Sequence, residues 1–598
     1  MERVSINNLN SYIGKEVRIA GWLYNLRLLG AISFLFVQDG TGIVQVVLED
    51  KEIVNKLKNL QPGTVLDIVG QVQEAKQAQL GVELISPKID VQVEIAKPWP
   101  IDISKKELDA NLDTILDFRA LSLRHPKSKA IFRIQASVLT AFSNSMIRQG
   151  FTQFVSPVLM GAPSESGADV FEVKYFDEKA YLAQSPQVYK QIMVGVFDKV
   201  FTIAKVFRAE KHNTSRHLME ITQLDGEMGF INSYDEILDV VEVVVRDILE
   251  FVEENNQEDI KLLGIALPTL PEGRFPRIKV KEALKEIESR IGKSADREEL
   301  DVDPEDEREI AKWAKENHNS DFVWLLNFKS NKNFYTWDNP EDKDESLSYD
   351  LVCKGLEWLS GTHRIHKYDV LLERFKKQGL KEKHYEHYLQ AFEYGMPSEG
   401  GFSLGLERIT QQIVGVSNIR EATLFPSDLK RIAGARINKE VVKGGDEVVS
   451  KIRSILDSRN MKYEYLEHER TVTSQDAAKV RGDDLSSGIK ALILKSKKDG
   501  ENIMVCVPGD RKIDFKKLKE ILGENYTFED KDDIREKFGL EIGGIPPFGS
   551  ILGMRVFFDN SIKNKQKVNF NCGTPEKSIS MQASDLLEAS EGEVIDAT

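Results

Sequence analysis

FRAEKHNTSRHLMEITQLDGEMGF, residues Phe207–Phe230, packs Arg208, Glu210, Arg216, His217, Glu220, Asp225 and Glu227 into one strand–loop–strand stretch. Alternate residues of a strand share a face, so Arg208 and Glu210 point to the same side. A second cluster, GGFSLGLERI at Gly400–Ile409, sets small residues ahead of Glu407 and Arg408, which lets backbone approach a ligand closely. Taken singly, surface ion pairs and a glycine-rich turn explain the two stretches as well as a binding site does.

Around these stretches the chain divides by pattern. Residues 1–100 hold short strands at Val17–Leu23, Ser33–Gln38, Ile43–Leu48, Val65–Gln73 and Val82–Ile85, separated by Asp39-Gly40, Thr41-Gly42 and Pro62-Gly63 turns. That predicts a small Greek-key barrel, an OB-fold, although an SH3-like barrel reads much the same. Pro98-Trp99-Pro100 ends the pattern, and residues 101–125 read as a charged hinge. Ile131, Ile134, Val138, Phe142 and Met146 then recur at helical spacing, with Gly150 at the C-terminal cap and an extended segment at Phe151–Ser156. A further helix is expected from Ser233, capped reciprocally by Glu236. Residues 126–438 thus read as one α+β domain, 439–446 as a linker around Lys443-Gly444-Gly445, and 447–598 as a third, α/β domain.

The chain has 598 residues, 41% of them hydrophobic and 30% charged, which is the composition of a soluble multidomain protein. Cys353, Cys506 and Cys572 lie far apart, without the spacing of a zinc site or a disulfide framework. Those scattered cysteines fit a reducing, cytoplasmic setting, and no stretch approaches a membrane span, so no membrane partner is expected. A formal charge of −15 argues against wholesale nucleic-acid coating and DNA binding, and leaves room for a local basic track. No Rossmann or P-loop fingerprint is present, so any nucleotide sits on another scaffold.

Phe207–Phe230 and Gly400–Ile409 resemble motifs 2 and 3 of the class II aminoacyl-tRNA synthetases, and GFTQFVSPVL (Gly150–Leu159) resembles motif 1, with its proline at Pro157. SESGADVFEVKYF (Ser164–Phe176), LAQSPQVYKQ (Leu182–Gln191), GLEWLSGTHRIH (Gly355–His366) and NIREATLFPSD (Asn418–Asp428) look like the aspartate branch of the archaeal and eukaryotic type. The resemblance implies an antiparallel-sheet catalytic domain with ATP and Mg2+ as cofactors, and aspartate and tRNA-Asp as partners. Charging of tRNA-Asn stays open, with Tyr24 and Pro87 as barrel positions that bear on it. Motif 1 implies a homodimer.

Residue by residue, the resemblance implies that Arg208 clamps the α-phosphate, Glu210 faces the adenine and the tRNA's terminal adenosine, Arg216 and His217 hold the outer phosphates, and Arg408 lies over the adenine. Arginine's planar fork suits phosphate. Glu357 and Ser360 match the magnesium ligands, which suits a hard cation that prefers oxygen. Lys190 and Arg364 are assigned to the aspartate side chain, with Asp225, Gln184 and Glu165 around its ammonium group; Ser360 is counted with this pocket too. Asparagine would then leave two buried cations unpaired, at roughly 3–5 kcal/mol for one broken pair. Arg27, Phe34 and Gln45 fall where the family reads the anticodon. Ser166, Ile221 and Thr362-His363 depart from the family's pattern.

In the third domain GIKALILK (Gly488–Lys495), VCVPGDRKID (Val505–Asp514), GGIPPFG (Gly543–Gly549) and NCGTPEKSISMQASDLL (Asn571–Leu587) resemble the YbaK/ProRS-insertion aminoacyl-tRNA deacylases. That implies hydrolytic editing of mischarged tRNA, with Lys490 and the Gly543–Pro547 loop holding the aminoacyl end. No protein nucleophile is expected, since Cys506, Cys572 and His468 share no useful spacing. The alternatives are an asparaginyl-tRNA synthetase, a paralogue making free asparagine, and a tRNA-binding protein without catalysis.

Overall fold

Strict alternation builds the N-terminal barrel. In β1 (Glu16–Leu29) as far as Leu23, and in β2 (Ile32–Gln38) and β3 (Ile43–Leu48), every second residue is buried, and β4 (Val65–Glu74) and β5 (Val82–Val93) close the ring in the order β1-β2-β3-β5-β4. Leu35, Val37, Val46 and Ile68 fill the interior, while Phe34 and Phe36 lie half-buried on the outside. A helix at Lys51–Leu57, started by Asp50 accepting from the Glu52 N–H, covers the step between β3 and β4. The computed structural model describes residues 1–598 other than 30–31, 79, 165–169, 211–213, 298–299, 331–332, 437–443, 460, 472, 499 and 591. It divides into two units, Met1–Arg436 and Ile437–Thr598.

The expected hinge is folded and docked. It carries helices at Leu112–Asp117 and Arg119–Ser122, and the Arg119 guanidinium donates to the carbonyls of Thr423 and Leu424. Arg431, 1% exposed, pairs with Asp113 and Asp117. The charges that made this segment look solvated are its anchors.

The helix Pro126–Arg148 contains the expected apolar stripe and ends at Gly150, whose φ of +83° is the left-handed cap that glycine adopts without strain. The other expected cap is shifted. The helix starts at Asp235, Ser233 Oγ accepts from the Asp235 N–H, and Glu236 reaches back to the Asn232 N–H rather than to Ser233.

After β6 (Thr152–Gln153), a small sheet of β7 (Leu159–Met160), β8 (Glu172–Tyr175) and β9 (Glu178–Leu182) precedes β10 (Lys199–Phe207) and β11 (Glu220–Gly229). β12 (Arg277–Lys279), β13 (Phe322–Leu326), β14 (Ser348–Cys353), β15 (Leu356–His363) and β16 (Glu399–Gly405) complete an eight-stranded sheet ordered β12-β13-β14-β15-β16-β11-β10-β6. Its pairs are antiparallel except at the two ends. Leu224, Met228, Leu359, Phe402 and Leu404 share one core with the helices Pro126–Arg148 and Asp235–Asn255. Alternation sends their neighbours Asp225, Glu227, Ser360, Gly401 and Ser403 to the opposite face.

A hairpin of β17 (Arg431–Ile432) and β18 (Ala435–Arg436) ends this unit. The second unit opens with the helix Gly445–Ser458 and contains two sheets. One is β19 (Tyr463–Glu467), β25 (Lys577–Gln582) and β24 (Lys567–Asn571), in that order. The other runs β22 (Tyr526–Phe528), β20 (Ile489–Ser496), β21 (Asn502–Pro508), β23 (Arg555–Asp559) and β26 (Glu593–Ile595). The helix Phe515–Leu522 lies between β21 and β22 in the chain.

The eight-stranded sheet tolerates no side chain at Gly226, where a Cβ would lie 2.6 Å from Phe402 Cζ and 2.9 Å from Met146 Cε. Gly226→Ala is expected to lower stability by about 1–3 kcal/mol through overpacking. A urea midpoint equal to the parent's would contradict this packing.

Candidate active site

Register brings the polar face into rows. Asp350, Ser360, Ser403, Asp225 and Thr202 stand side by side across β14, β15, β16, β11 and β10, and Ser348, Thr362, Gly401, Glu227 and Val200 form the next row. Directly paired residues of antiparallel strands point to one face, so these rows floor a single site. Gly401 is required there: a Cβ would fall 1.9 Å from Glu227 Oε2, so only glycine leaves room for that carboxylate.

Lys190 enters over this floor from the helix Gln187–Phe197. Its Nζ lies 3.2 Å from Asp225 Oδ2 and 3.1 Å from Glu227 Oε2, and donates to the Phe402 carbonyl at 3.3 Å. Arg364 donates to Glu227 through Nε at 2.7 Å and Nη2 at 3.3 Å, and through Nη1 to Thr362 Oγ1 at 2.6 Å, with its guanidinium over the Tyr335 ring. All four charged groups are at most 3% exposed. Burial works to raise the Glu227 carboxyl, and Arg364 and Lys190 outweigh it to hold the pKa below the ordinary value. Burial dominates at Asp225 and raises it.

This revises the sequence-based energetics. The two cations are not waiting unpaired, because Glu227 engages both, so an asparagine side chain would not strand them as expected. Glu227 was part of the quoted motif but carried no role; its alternation with Asp225 was the available signal. Gln184 is buried beside the site, with its N–H donating to Ser164 Oγ at 3.0 Å. Glu165 and Ser166 lie outside the described residues.

At the other end of the floor, Glu357 and Ser360 differ in parity and would face opposite ways on a regular strand. A bulge at Trp358, where Val352 pairs with Glu357 and Leu351 with Leu359, turns both outward and sends Trp358 and Leu359 into the core. Arg408, in the first turn of the helix Leu406–Val414, holds Glu357 Oε1 at 3.1 Å. Where β16 ends, the buried Glu407 accepts from the Thr222 N–H at 3.0 and 3.1 Å, replacing the missing strand partner. Among the described residues no cluster of three or more His, Cys, Asp and Glu suits a metal. Two outward oxygen donors fit a magnesium ion whose remaining ligands are phosphates and water.

Arg208 leaves β10 with its N–H on the Met219 carbonyl, and Glu210 follows it, half-buried. Arg216 pairs at 3.3 Å with Glu307, and His217 Nδ1 meets Thr214 Oγ1 at 2.6 Å. Glu307 was invisible in the sequence, one acid of the charged run PEDERE on the helix Pro304–His318. Burial and the nearby Glu357 charge push its pKa up to about 7, against Arg216 and Arg408. Of the departures, Ile221 is half-buried on β11, Thr362 orients Arg364, and His363 bonds Ser398 Oγ at 3.1 Å.

On the barrel, Arg27 stacks over Phe36 at 4.8 Å, Phe34 lies outward beside it, and Gln45 donates to Glu83 at 2.8 Å. The Tyr24 hydroxyl donates to the Ile103 carbonyl at 3.0 Å, and Pro87 is buried. In the second unit Lys490 Nζ donates to the Arg511 carbonyl at 2.5 Å. Gly543, at φ +91°, is tied through its carbonyl to Asn571 Nδ2 at 2.5 Å, with Pro547 buried beneath. Among the described residues no hydrogen bond joins Lys490 to this loop. Asn571 Oδ1 accepts from Ser578 and Arg481, and Ser578 Oγ meets His468 Nε2 at 2.5 Å, so the loop rests on a polar network that sequence spacing did not reveal. Cys506 and Cys572 are buried with their thiols pushed up by burial, the opposite of an activated nucleophile.

A polar-floored antiparallel sheet flanked by arginines, behind an OB barrel, defines a class of enzyme. Residues 111–429 match the family of class II tRNA synthetases (D, K and N), residues 17–92 the OB-fold nucleic acid binding domain, and residues 468–589 the aminoacyl-tRNA editing domain. The chain belongs to the class II tRNA synthetases of this aspartate, lysine and asparagine group, and carries an editing domain. It is 38% identical to the aspartate–tRNA(Asp/Asn) ligase of Thermus thermophilus, over 72% of this chain and 99% of that ligase. It is 40% identical to the aspartate–tRNA(Asp) ligase of Pyrococcus horikoshii, over 70% and 96%. Among solved structures, asparaginyl-tRNA synthetase from Pyrococcus horikoshii, complexed with asparaginyl-adenylate, matches with a TM-score of 0.66 at 30% identity, over 72% of this chain and 99% of that one. No helix among the described residues is long and apolar enough to cross a membrane.

Glu307 couples folding stability to pH. A carboxyl raised from the ordinary 4.5 to about 7 favours the folded state below pH 4.5, and that contribution is lost as pH climbs to about 7. Between those limits, stability of the ligand-free parent relative to Glu307→Gln should fall by roughly 1–3 kcal/mol, read from urea midpoints. A difference independent of pH would contradict the assignment.

Proposed function

We propose that the chain joins aspartate to ATP, giving aspartyl-adenylate and pyrophosphate, and then transfers the aspartyl group to the terminal ribose of tRNA-Asp. The buried Asp225–Lys190–Glu227–Arg364 cluster is the observation that carries this reading. Aspartate brings an ammonium group and a second carboxylate. Asp225 passes from Lys190 to the incoming ammonium, and Lys190, so released, takes the side-chain carboxylate with Arg364 beside it. Every buried charge keeps a partner through the exchange, whereas the neutral amide of asparagine would leave one net positive charge of the pocket unbalanced.

The α-carboxylate attacks the α-phosphorus, forming the acyl–phosphate bond as pyrophosphate leaves. Positioning and charge suffice for this step. Arg208 holds the α-phosphate, Glu210 faces the adenine, Arg216 and His217 take the outer phosphates, and Arg408 turns from Glu357 to the adenine. Magnesium held by Glu357 and Ser360 would neutralise phosphate charge. Gln184, with Glu165, completes the ammonium site.

The barrel presents Phe34, Arg27 and Gln45 to the anticodon, stacking on unpaired bases. Charging of tRNA-Asn is the wider form of the same reading, in line with the name of the Thermus relative. The C-terminal domain hydrolyses mischarged tRNA, with Lys490 stabilising charge and Gly543–Pro547 offering close backbone approach. The exposed Ile147, Val155, Val158 and Leu159 around motif 1 supply an apolar surface for a homodimer. A cytoplasmic enzyme follows from this activity.

ATP–pyrophosphate exchange tests the main claim. Aspartate should support it far better than asparagine, and Lys190→Met should raise the KM for aspartate at least tenfold more than that for ATP. Equal losses for both substrates, or exchange driven by asparagine alone, would contradict the pocket. For the second domain, deacylation of a panel of mischarged tRNAs by the full chain should fall at least tenfold in Lys490→Ala. Equal rates would remove Lys490 from the site.

A further inference from the structure

Among the described residues, the amino-acid pocket contains one buried acid more than its cations can balance. Glu399 lies on β16, on the same face as Gly401 and Ser403, and it is 0% exposed. It stands opposite Gly229 on β11, and its carbonyl accepts the Arg364 N–H at 2.9 Å. Lys190 and Arg364, the two buried cations here, are already engaged by Asp225 and Glu227.

Glu399 itself receives a neutral contact. Gln191 Nε2 donates to Oε1 at 2.8 Å, and Gln191 is held in turn by the Tyr388 hydroxyl at 3.0 Å and Gln187 Nε2 at 2.8 Å. The other oxygen, Oε2, is buried and has no hydrogen-bond partner among the described residues.

The charged and titratable groups facing this acid from the surrounding elements are few. They are Lys190 on the helix Gln187–Phe197, Asp225 and Glu227 on β11, and Arg364 after β15. Among the described residues, the phenols of Tyr335, Tyr349 and Tyr388 and the imidazole of His363, bonded to Ser398 Oγ beside this acid, belong to the same surroundings. Burial pushes Tyr349 and Tyr388 well above the ordinary range, so both stay neutral.

Charge parity then distinguishes the two candidate substrates. Once Asp225 serves the substrate ammonium, the side-chain pocket holds, among the described residues, Lys190, Arg364 and Glu227. With Glu399 uncharged its net charge is +1, which a substrate carboxylate neutralises and an amide does not. With Glu399 ionised the net charge is zero, which suits an amide and repels a carboxylate.

We propose that Glu399 works as an uncharged carboxylic acid, and that this neutral form is a specificity determinant that makes the pocket select aspartate over asparagine. The inference rests on the aspartate-activating reading above. Burial, and next the Glu227 charge, raise the Glu399 pKa well above the ordinary value, in the direction required.

The test is the ratio of kcat/KM for aspartate to that for asparagine, measured by ATP–pyrophosphate exchange on the full chain from neutral to alkaline pH. Steps common to both amino acids cancel in this ratio. In the parent it should fall as pH rises, with a limiting slope of about tenfold per pH unit for one ionisation. Glu399→Gln, which cannot ionise, should flatten the profile and keep the preference for aspartate. An unchanged slope, or a variant that prefers asparagine at neutral pH, would overturn the proposal.

A second measurement does not depend on activity. The infrared spectrum of the parent at neutral pH should contain the C=O stretch of an un-ionised carboxyl that disappears in Glu399→Gln. Its absence from the parent would also overturn the idea. A parent that activates neither amino acid would instead fail the aspartate reading, and with it this proposal, while the infrared band would report on Glu399 alone.

Discussion

Glu227 holds both buried cations of the site, and the surrounding sheet is shaped around that contact. A carboxylate with no exposure, shared by Lys190 and Arg364, costs desolvation that only close pairing offsets. The pairing requires glycine at position 401, whose missing Cβ leaves space for the carboxylate. It also requires β11 and β16 in one register, since a shift of one residue would turn Glu227 toward Phe402 and Leu404 in the core. The apolar face fixes the register, and the register fixes the charges.

The rest of the site hangs on the same sheet by local devices. A bulge brings Glu357 and Ser360 to one side, Glu407 replaces a ladder partner where β16 stops, and Thr362 fixes one arm of Arg364. None of these residues is held by a loop alone, which suits a reaction that depends on positioning.

Legibility in the sequence followed the physics. Barrel strands and the long helix behind the sheet were readable because their burial has a strict period, as in Ile43–Leu48 and Ile131–Met146. Arg208, Arg216, Lys190, Asp225, Arg364 and Arg408 were found through motif resemblance, and the structure sets Lys190, Asp225 and Arg364 together. Glu227 was quoted without a role because pairing across strands is not visible along one strand. Glu307 and Glu399 were missed for a stronger reason: each acquires its character from burial by elements distant in the chain. The connector before Pro126 was misread as a hinge because its charges meet Arg431 and the Thr423–Leu424 carbonyls some three hundred residues away. The polar network under Gly543 likewise joins residues from several segments, His468, Arg481, Asn571 and Ser578.

The central claim is that a buried pair of cations reads the substrate's second carboxylate. Calorimetric titration of the full chain with non-hydrolysable analogues of aspartyl-adenylate and asparaginyl-adenylate tests it directly, because the two ligands share every group except that carboxylate. The account predicts that the aspartyl analogue binds at least a hundredfold tighter at neutral pH, about 2.7 kcal/mol. Equal affinities, or tighter binding of the asparaginyl analogue, would contradict it.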